Sequence, residues 1–246
     1  MISFFIPFYN EVTKQKNLSS FLKELNKFIK KNKNNKNQFI LYDDGSNDET
    51  FDYLESFKKR IKKKNVNILR NYSNKGVGFS FKNSLKKCKT RFIFFLPGDH
   101  DLDFKYLDDI NSYTKLDLTL FFPINFEKYS SGRYFLTMLF RIIYGVTFGM
   151  RVNYIQSPCL YSVKELLKHK FNSDRFSIWP EINTKLLKSN IKFTEVPVKF
   201  KKKSIIDRTV SFKNLLEVIL MYLLTFFEIK IFKRRKYNQN AKKVYL

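Results

Sequence analysis

The sequence predicts an α/β fold, in which a doubly wound, mainly parallel sheet carries helices on both faces and an amphipathic helical tail follows. Two observations predict it. Short apolar runs typical of buried strands alternate with segments whose apolar residues recur at helical spacing. The apolar runs also end in polar turns, as strands commonly do. At 246 residues, the chain is long enough for one sizeable domain with a full core.

The first two strands and the helix between them have the strongest patterns. ISFFIPFYN (residues 2–10) predicts a buried strand rather than a signal peptide, since no basic leader and no cleavage site accompany it. QFILYDDGS (residues 38–46) predicts the second strand. Between them, six apolar residues fall on one helical face. They are Leu18, Phe21, Leu22, Leu25, Phe28 and Ile29.

The alternation continues through the first half of the chain. Ser46 and Glu49 fit the S-x-x-E capping pattern, which predicts a helix beginning after Ser46. VNILR (66–70) and RFIFFL (91–96) predict two more strands, around a helix entered through NKGVGFS (74–80). The apolar residues expected on the inner face of the helix after Ser46 are Phe51, Leu54, Phe57 and Ile61.

The charge and the cysteine content limit the classes of partner. The formal net charge is +25, and much of the lysine lies in asparagine-rich runs that are usually solvated. A basic surface attracts phosphates, anionic lipid headgroups or nucleic acid, but it indicates no activity. A non-catalytic nucleic-acid binder is therefore an alternative, although no recognition module is present. The two cysteines indicate no disulfide framework, which fits a reducing cytoplasm.

Aspartates cluster where two of the predicted strands end. Asp43 and Asp44 lie at the end of the second strand, and Asp99 and Asp101 lie at the end of the strand RFIFFL. Ligands bind beyond the carboxyl ends of strands in such sheets, and two carboxylates can share Mg²⁺ or Mn²⁺ with substrate phosphates. We interpret His100, between the second pair, as a spacer. A turn whose aspartates cap the next helix is the alternative for this segment.

Four motifs occur in a distinctive order, namely IPFYNE (6–11), DDGSNDET (43–50), NKGVGFS (74–80) and LPGDHD (96–101). This order and spacing resembles the nucleotide-sugar half of inverting glycosyltransferase family 2, whose fold is the glycosyltransferase A type. The later segments SPCLYSVKELL and FSIWPEINTKLLKSNIKFTEVPVKF resemble its dolichyl- and polyprenyl-phosphate sugar transferase branch. The resemblance covers roughly residues 1 to 212.

The resemblance implies a set of site residues by position. Those of the nucleotide pocket are Pro7, Tyr9 and Glu11, with Asp43 and Asp44 contacting the base and ribose. Lys75 and Gly76 match the turn beside the diphosphate, and Asp99 and Asp101 match the metal-binding pair, Asp101 also being catalytic. Arg133 and Arg208 match catalytic arginines, the first holding phosphate and the second in the late basic loop 202–208.

The resemblance further implies a hexosyltransferase that depends on Mg²⁺ or Mn²⁺ and moves a sugar from a nucleotide-sugar donor to a polyprenyl phosphate. A phosphate monoester, with a second pKa of about 6, is already anionic near neutral pH and needs no general base. A hydroxyl acceptor needs a carboxylate, but Asn153 occupies the position where this branch has an acid. A transferase that extends a cell-surface glycan on a hydroxyl is the alternative.

The C-terminal part is apolar from 215 to 232, but Glu217, Glu228 and Lys230 interrupt it. A single membrane crossing is marginal at that length, whereas an interfacial helix followed by the basic run KRRK fits better. A helix packed in the core is the alternative. We therefore expect a catalytic domain at 1–208 and a membrane-associated tail at 209–246. The protein would be cytoplasmic and peripheral on the inner face of the cell membrane, with no nucleic-acid partner.

Overall fold

The computed structural model describes residues 1–15, 17–32, 36–100, 102–125, 131–156, 158–201 and 212–245. In these ranges eight strands form one sheet in the order β3-β2-β1-β4-β6-β5-β7-β8. The strands are β1 (Ile2–Phe8), β2 (Gln38–Asp43), β3 (Val66–Arg70), β4 (Phe92–Phe95), β5 (Leu118–Pro123), β6 (Cys159–Ser162), β7 (Lys192–Val198) and β8 (Lys242–Lys243). The helices are α1 (Glu11–Gln15), α2 (Leu18–Lys31), α3 (Thr50–Ile61), α4 (Val77–Lys87), α5 (Ser131–Phe148), α6 (Val163–Leu166), α7 (Ile178–Leu187) and α8 (Phe212–Phe227).

The first half of the sheet is parallel, as predicted. β1 pairs with β2 and β4, and β2 pairs with β3, all in parallel. β6 then lies antiparallel between β4 and β5, while β7 is parallel to β5. The predicted mainly parallel α/β fold is confirmed. The antiparallel direction of β6 was not predicted, because a buried strand has the same apolar pattern in either direction.

Helices cover both faces of the sheet and bury two separate cores. α2 and α3 contribute Leu25 and Leu54 to the core on one face. α4 and α7 contribute Phe81 and Trp179 to the core on the other, where the Trp179 ring stacks on Phe95 at 3.9 Å. All six residues of the predicted α2 stripe are buried.

The predicted start of α3 is wrong. The helix begins at Thr50, and its N-cap residue is Glu49, which makes no side-chain capping hydrogen bond. Ser46 lies too early to cap it, because its hydroxyl donates to Asp43 and accepts a hydrogen bond from the Asn10 amide. The Ser46 hydroxyl therefore bonds to residues outside the helix, and it does not cap α3 as the sequence pattern predicted.

The described part of the C-terminal tail packs on the sheet. α8 is followed by a π-helical turn (Glu228–Phe232), and Ile229 and Tyr237 are only 1% and 2% exposed. β8 then pairs in parallel with β7. Ile229 and Tyr237 thus belong to the same core as residues of the catalytic domain, and the boundary at 208 stays a prediction. No helix in the described ranges is long and apolar enough to cross a membrane.

Candidate active site

The ends of four parallel strands place the predicted site at one edge of the sheet. In the sheet register Phe8 lies beside Asp43, and Asp43 lies beside Arg70. β4 flanks β1 on its other side, so the loop that follows β4 reaches the same edge. This is the edge at which doubly wound sheets bind ligands.

Asn10 ties together the loops that follow β1 and β2. It adopts a left-handed conformation with φ of 53°. Its amide donates to Ser46 Oγ at 2.9 Å, and its Oδ1 accepts from the Asn47 amide at 2.8 Å. The neighbouring Glu11 amide donates to Thr50 Oγ1 at 2.9 Å. The predicted residues Tyr9 and Glu11, both half-buried, therefore stand on a fixed double loop.

Asp43 is fully buried and faces protein partners. Its Oδ1 accepts a hydrogen bond from the Ser46 hydroxyl, and its Oδ2 lies 3.2 Å from Arg70 Nε. The Arg70 guanidinium also lies over the Phe51 ring, 4.1 Å from its centroid. Burial raises the pKa of Asp43 above its ordinary value, although Ser46 and Arg70 act in the opposite direction. Contact of Asp43 with a nucleotide base or ribose stays a prediction.

Asp44 is the residue that organises the turn before α4. Its Oδ1 accepts from Asn71 Nδ2 at 2.6 Å, from Ser80 Oγ at 3.2 Å and from the Lys75 amide at 3.1 Å. Its Oδ2 accepts from the Gly76 amide at 2.8 Å. One buried carboxylate thus fixes the loop from 71 to 80, which includes the turn predicted to lie beside the diphosphate.

Gly76 is required at that turn for both conformation and space. Its φ is 97°, and a Cβ placed on it would lie 2.2 Å from the Asp174 carbonyl oxygen. Lys75, directly before it, has an exposed side chain. The exposed Lys75 side chain next to the N-terminus of α4 is an arrangement that favours a bound anion.

The loop after β4 carries Asp99 to the same edge. Gly98 packs directly on β1, since a Cβ there would lie 2.3 Å from the Pro7 carbonyl oxygen. Asp99 itself is half-buried. His100 has φ of 63°, and its Nε2 lies 2.9 Å from Glu24 Oε2 on α2. Its contacts with α2 agree with the interpretation of His100 as a spacer.

The metal prediction rests on two residues, of which Asp101 lies outside the described residues. In the described ranges, no group of three or more His, Cys, Asp or Glu side chains could hold a metal ion. Mg²⁺ and Mn²⁺ commonly bind through one or two carboxylates, with waters and substrate phosphates completing the shell. Asp99, on a loop beside an anion-favouring turn, fits such a donor set.

Of the two predicted arginines, only the backbone of Arg133 lies in the described part of the chain. Arg133 lies in α5, and its side chain is outside the described part of the chain; Arg208 and the whole loop 202–208 also lie outside it. Just before that loop, Lys201 Nζ lies 3.0 Å from Glu24 Oε2, and Phe200 bridges to Leu102. Phe200 and Lys201 therefore lie beside the loop that carries Asp99.

Sequence reasoning missed several residues that shape the site. Arg70 is the last residue of β3 and Asn71 follows it, so the rule that ligands bind at the carboxyl ends of parallel strands could have identified both. The loop 171–177 gave no such signal, because it reaches the turn at Gly76 from a distant part of the sequence.

Comparison with known proteins supports the fold. The chain aligns with S. aureus TarS 1–349 in complex with UDP-GlcNAc at 16% identity and a TM-score of 0.60, covering 96% of this chain and 69% of that one. It aligns with Mycobacterium tuberculosis glucosyl-3-phosphoglycerate synthase, in complex with Mn²⁺, UDP-Glc and phosphoglyceric acid, at 14% identity and a TM-score of 0.60, covering 93% of this chain and 79% of that one. A search of curated proteins gives no match.

The doubly wound sheet with its site at the strand ends thus has the A-type fold of these two glycosyltransferases. The model of the family Glycosyl transferase family 2 matches residues 3–138, more than half of the chain. The chain belongs to this family. It is a glycosyltransferase that uses a nucleotide-sugar donor.

Proposed function

We propose that this glycosyltransferase transfers a sugar, with inversion, from a UDP-sugar to a polyprenyl phosphate at the cytoplasmic face of the membrane. A wide apolar surface beside a basic one carries this proposal. The donors bound to the two structural relatives, UDP-GlcNAc and UDP-Glc, support a uridine nucleotide.

Two neighbouring helices form the apolar surface, which we call the docking face. α5 exposes Tyr134, Phe135, Leu139, Ile142, Ile143 and Val146. α8 exposes Leu216, Ile219, Leu220, Leu223, Leu224 and Phe227. The Tyr144 and Tyr222 rings join the two helices, with centroids 5.3 Å apart. Exposed apolar residues at helical spacing on adjacent helices mark an interaction surface rather than scattered surface residues.

The charges next to the docking face favour an anionic bilayer as its partner. α8 runs into the exposed cations Lys230, Lys233, Arg234, Arg235 and Lys236. Each cation near an anionic membrane contributes about 1 kcal/mol, and the inserted apolar side chains add to this. An apolar face beside a cluster of like charges matches a lipid surface better than it matches a second copy of the same chain.

On the donor side, the chain's own residues hold the nucleotide sugar for displacement. Asp44 fixes the turn that would place the Lys75 side chain and the N-terminus of α4 beside the diphosphate, where negative charge builds in the transition state. Asp99, with Asp101, would hold the Mg²⁺ or Mn²⁺, which supplies further stabilisation of the leaving diphosphate.

On the acceptor side, the described residues offer no evident base near position 153. The carboxylate nearest to Asn153 in the hydrogen-bond network is Glu195, whose Oε1 accepts from the Asn153 amide at 2.5 Å. Its side chain is only 2% exposed, and Lys243 Nζ lies 2.5 Å from its Oε2. A phosphate acceptor, which is anionic before it binds, needs no proton acceptor.

Product analysis tests the proposal. The full chain is incubated with UDP-sugars, Mn²⁺, a soluble glycan with free hydroxyls and vesicles that contain polyprenyl phosphate and anionic phospholipid, and products are identified by mass spectrometry. We expect a sugar joined to the lipid phosphate. A sugar transferred only to a glycan hydroxyl or to a soluble acceptor would replace this proposal with the hydroxyl-acceptor alternative.

Vesicle flotation tests the docking face. We expect Val146→Asp combined with Leu220→Asp to release the protein from anionic vesicles. Leu167→Asp is the matched control, because Leu167 is 67% exposed but lies outside the docking face. Equal release by both variants, or no release by either, would remove the docking face from the account.

A further inference from the structure

Glu217 is the one acidic residue within α8, a helix that is otherwise apolar over most of its length. A carboxylate against apolar surroundings costs free energy unless it is hydrogen-bonded. Its Oε1 accepts from Ser173 Oγ at 3.1 Å, and its Oε2 accepts from Ser177 Oγ at 2.9 Å. Both serines lie in the loop 171–177, which leads into α7.

A carboxylate of α7 also binds this loop. Glu181 accepts from the Asn172 amide at 2.9 Å and from the Ser173 amide at 2.9 Å. Ser173 is only 1% exposed and Ser177 only 4%. Two carboxylates, one on α7 and one on α8, therefore set the conformation of the loop.

The loop 171–177 also contacts the turn before α4 and the first residues of that helix. The Asp174 carbonyl oxygen accepts from the Phe79 amide at 3.0 Å, and Asp174 Oδ1 lies 2.7 Å from Lys82 Nζ. A Cβ on Gly78 would lie 2.7 Å from the Ser173 carbonyl oxygen, so loop and turn are in direct backbone contact. Asp44 holds this turn from within, and the loop 171–177 covers it from outside.

We propose that Glu217 is a positioning residue for the donor: through Ser173 and Ser177 it holds the loop that fixes the diphosphate-side turn at Lys75 and Gly76. The inference rests on the proposed function, because it takes that turn as part of the donor site. It adds a physical connection from the docking helix α8 to the nucleotide, made entirely of hydrogen bonds and backbone packing.

The test compares Glu217→Ala with Glu55→Ala, an exposed glutamate on α3 whose removal changes the charge by the same amount. With Mn²⁺ present, we expect Glu217→Ala to weaken UDP binding about tenfold by calorimetry, which corresponds to about 1.4 kcal/mol. KM for the donor should rise while kcat stays near that of the wild type. Glu217→Gln should restore most of the affinity, since an amide can still bond to both hydroxyls.

Amide hydrogen exchange separates positioning from a general loss of stability. In Glu217→Ala, the Phe79 and Gly76 amides should exchange faster, whereas amides of α3 should keep their wild-type rates. If Glu217→Ala does not fold, Ser173→Ala combined with Ser177→Ala removes the same two hydrogen bonds from the loop side and should give the same result.

The two claims fail in different ways. A wild-type chain that binds no uridine nucleotide would overturn the proposed function and this inference with it. Wild-type binding that Glu217→Ala leaves unchanged, with unchanged exchange at Phe79, would overturn the inference and leave the proposed function standing. Weaker binding together with uniformly faster exchange throughout the chain would also overturn it.

Discussion

Among single residues, Asp44 has the largest part in the geometry of the site. Four donors from residues 71–80 converge on its carboxylate, and two of them are backbone amides of the turn before α4. A buried acceptor with this many donors is costly to remove, because each donor is left without its partner. In the proposed function, Asp44 acts on the nucleotide through the turn that it fixes.

Asp44→Ala should weaken donor binding and destabilise the fold. We expect a loss of about 2 to 4 kcal/mol in the free energy of unfolding, because several hydrogen bonds to one charged group disappear together. Urea unfolding measures the stability, and calorimetry with UDP and Mn²⁺ measures the affinity. Asp52→Ala, on the exposed face of α3, serves as the control. An Asp44→Ala variant with wild-type affinity for UDP would exclude Asp44 from the site.

His169 gives the fold a dependence on pH. Burial, together with Lys236, Lys185 and Lys168, lowers the pKa of His169 to about 4, while Glu228 acts in the opposite direction. Its Nδ1 lies 3.0 Å from the Tyr237 hydroxyl, in the C-terminal tail. The folded state therefore holds the neutral ring, whereas the unfolded chain takes up a proton near pH 6.5.

The sign of this effect follows from the lowered pKa. The contribution of His169 to stability is complete above pH 6.5 and is lost as the pH falls from 6.5 toward 4. Urea unfolding should show a loss of about 1 to 2 kcal/mol between pH 7 and pH 5. His169→Asn, which keeps a polar group near Nδ1, should show a flatter profile. Identical pH profiles for the two proteins would contradict this assignment.

Among the elements, α7 and the π-helical turn after α8 are joined by buried charges. Lys185 is fully buried, with its Nζ 2.7 Å from Glu181 Oε1 and 2.8 Å from Glu228 Oε2. Burial alone would raise the pKa of Glu228, but Lys185 and Lys233 hold it below its ordinary value. The C-terminal tail thus supplies a counter-charge to the core, and its removal would leave Lys185 with one carboxylate fewer.

Glu228→Ala should therefore destabilise the protein by about 2 to 4 kcal/mol, because it leaves a buried lysine less well paired. Lys233→Ala is the matched comparison. Lys233 is 45% exposed and is the second partner of Glu228. Its removal should lower the free energy of unfolding by no more than about 1 kcal/mol. Thermal and urea unfolding give both values. Equal effects of the two substitutions would show that the buried contact contributes no more than the exposed one.

The elements also show which features of the sequence were informative. The stripe on α2 was predicted residue by residue, because burial against a sheet imposes helical periodicity. The start of α3 was predicted wrongly, because the hydroxyl of Ser46 bonds to Asp43 and Asn10 instead of to the helix. A local pattern predicts a cap only where no tertiary partner competes for the same group.

For the whole molecule, the mainly parallel doubly wound sheet was predictable from the alternation of strands and helices, but the position of the antiparallel β6 between β4 and β5 was not. The described residues of the motifs at 6–11, 43–50, 74–80 and 96–100 lie at the carboxyl ends of β1, β2 and β4 or in the segment after β3. The role of the loop 171–177 was not predictable, since Glu217 and Ser173 are 44 residues apart in sequence. The pairing of α5 with α8 into one docking face likewise depends on tertiary packing.

Metal-dependent donor binding is the measurement that tests the account most directly. A panel of nucleotide sugars is titrated by calorimetry into the wild type and into Asp99→Asn, each with Mn²⁺ and with EDTA. We expect the wild type to bind a uridine nucleotide sugar with Mn²⁺, EDTA to weaken this binding strongly, and Asp99→Asn to bind weakly in both conditions. Equal affinities across all four conditions, or no binding of any nucleotide sugar by the wild type, would contradict this expectation.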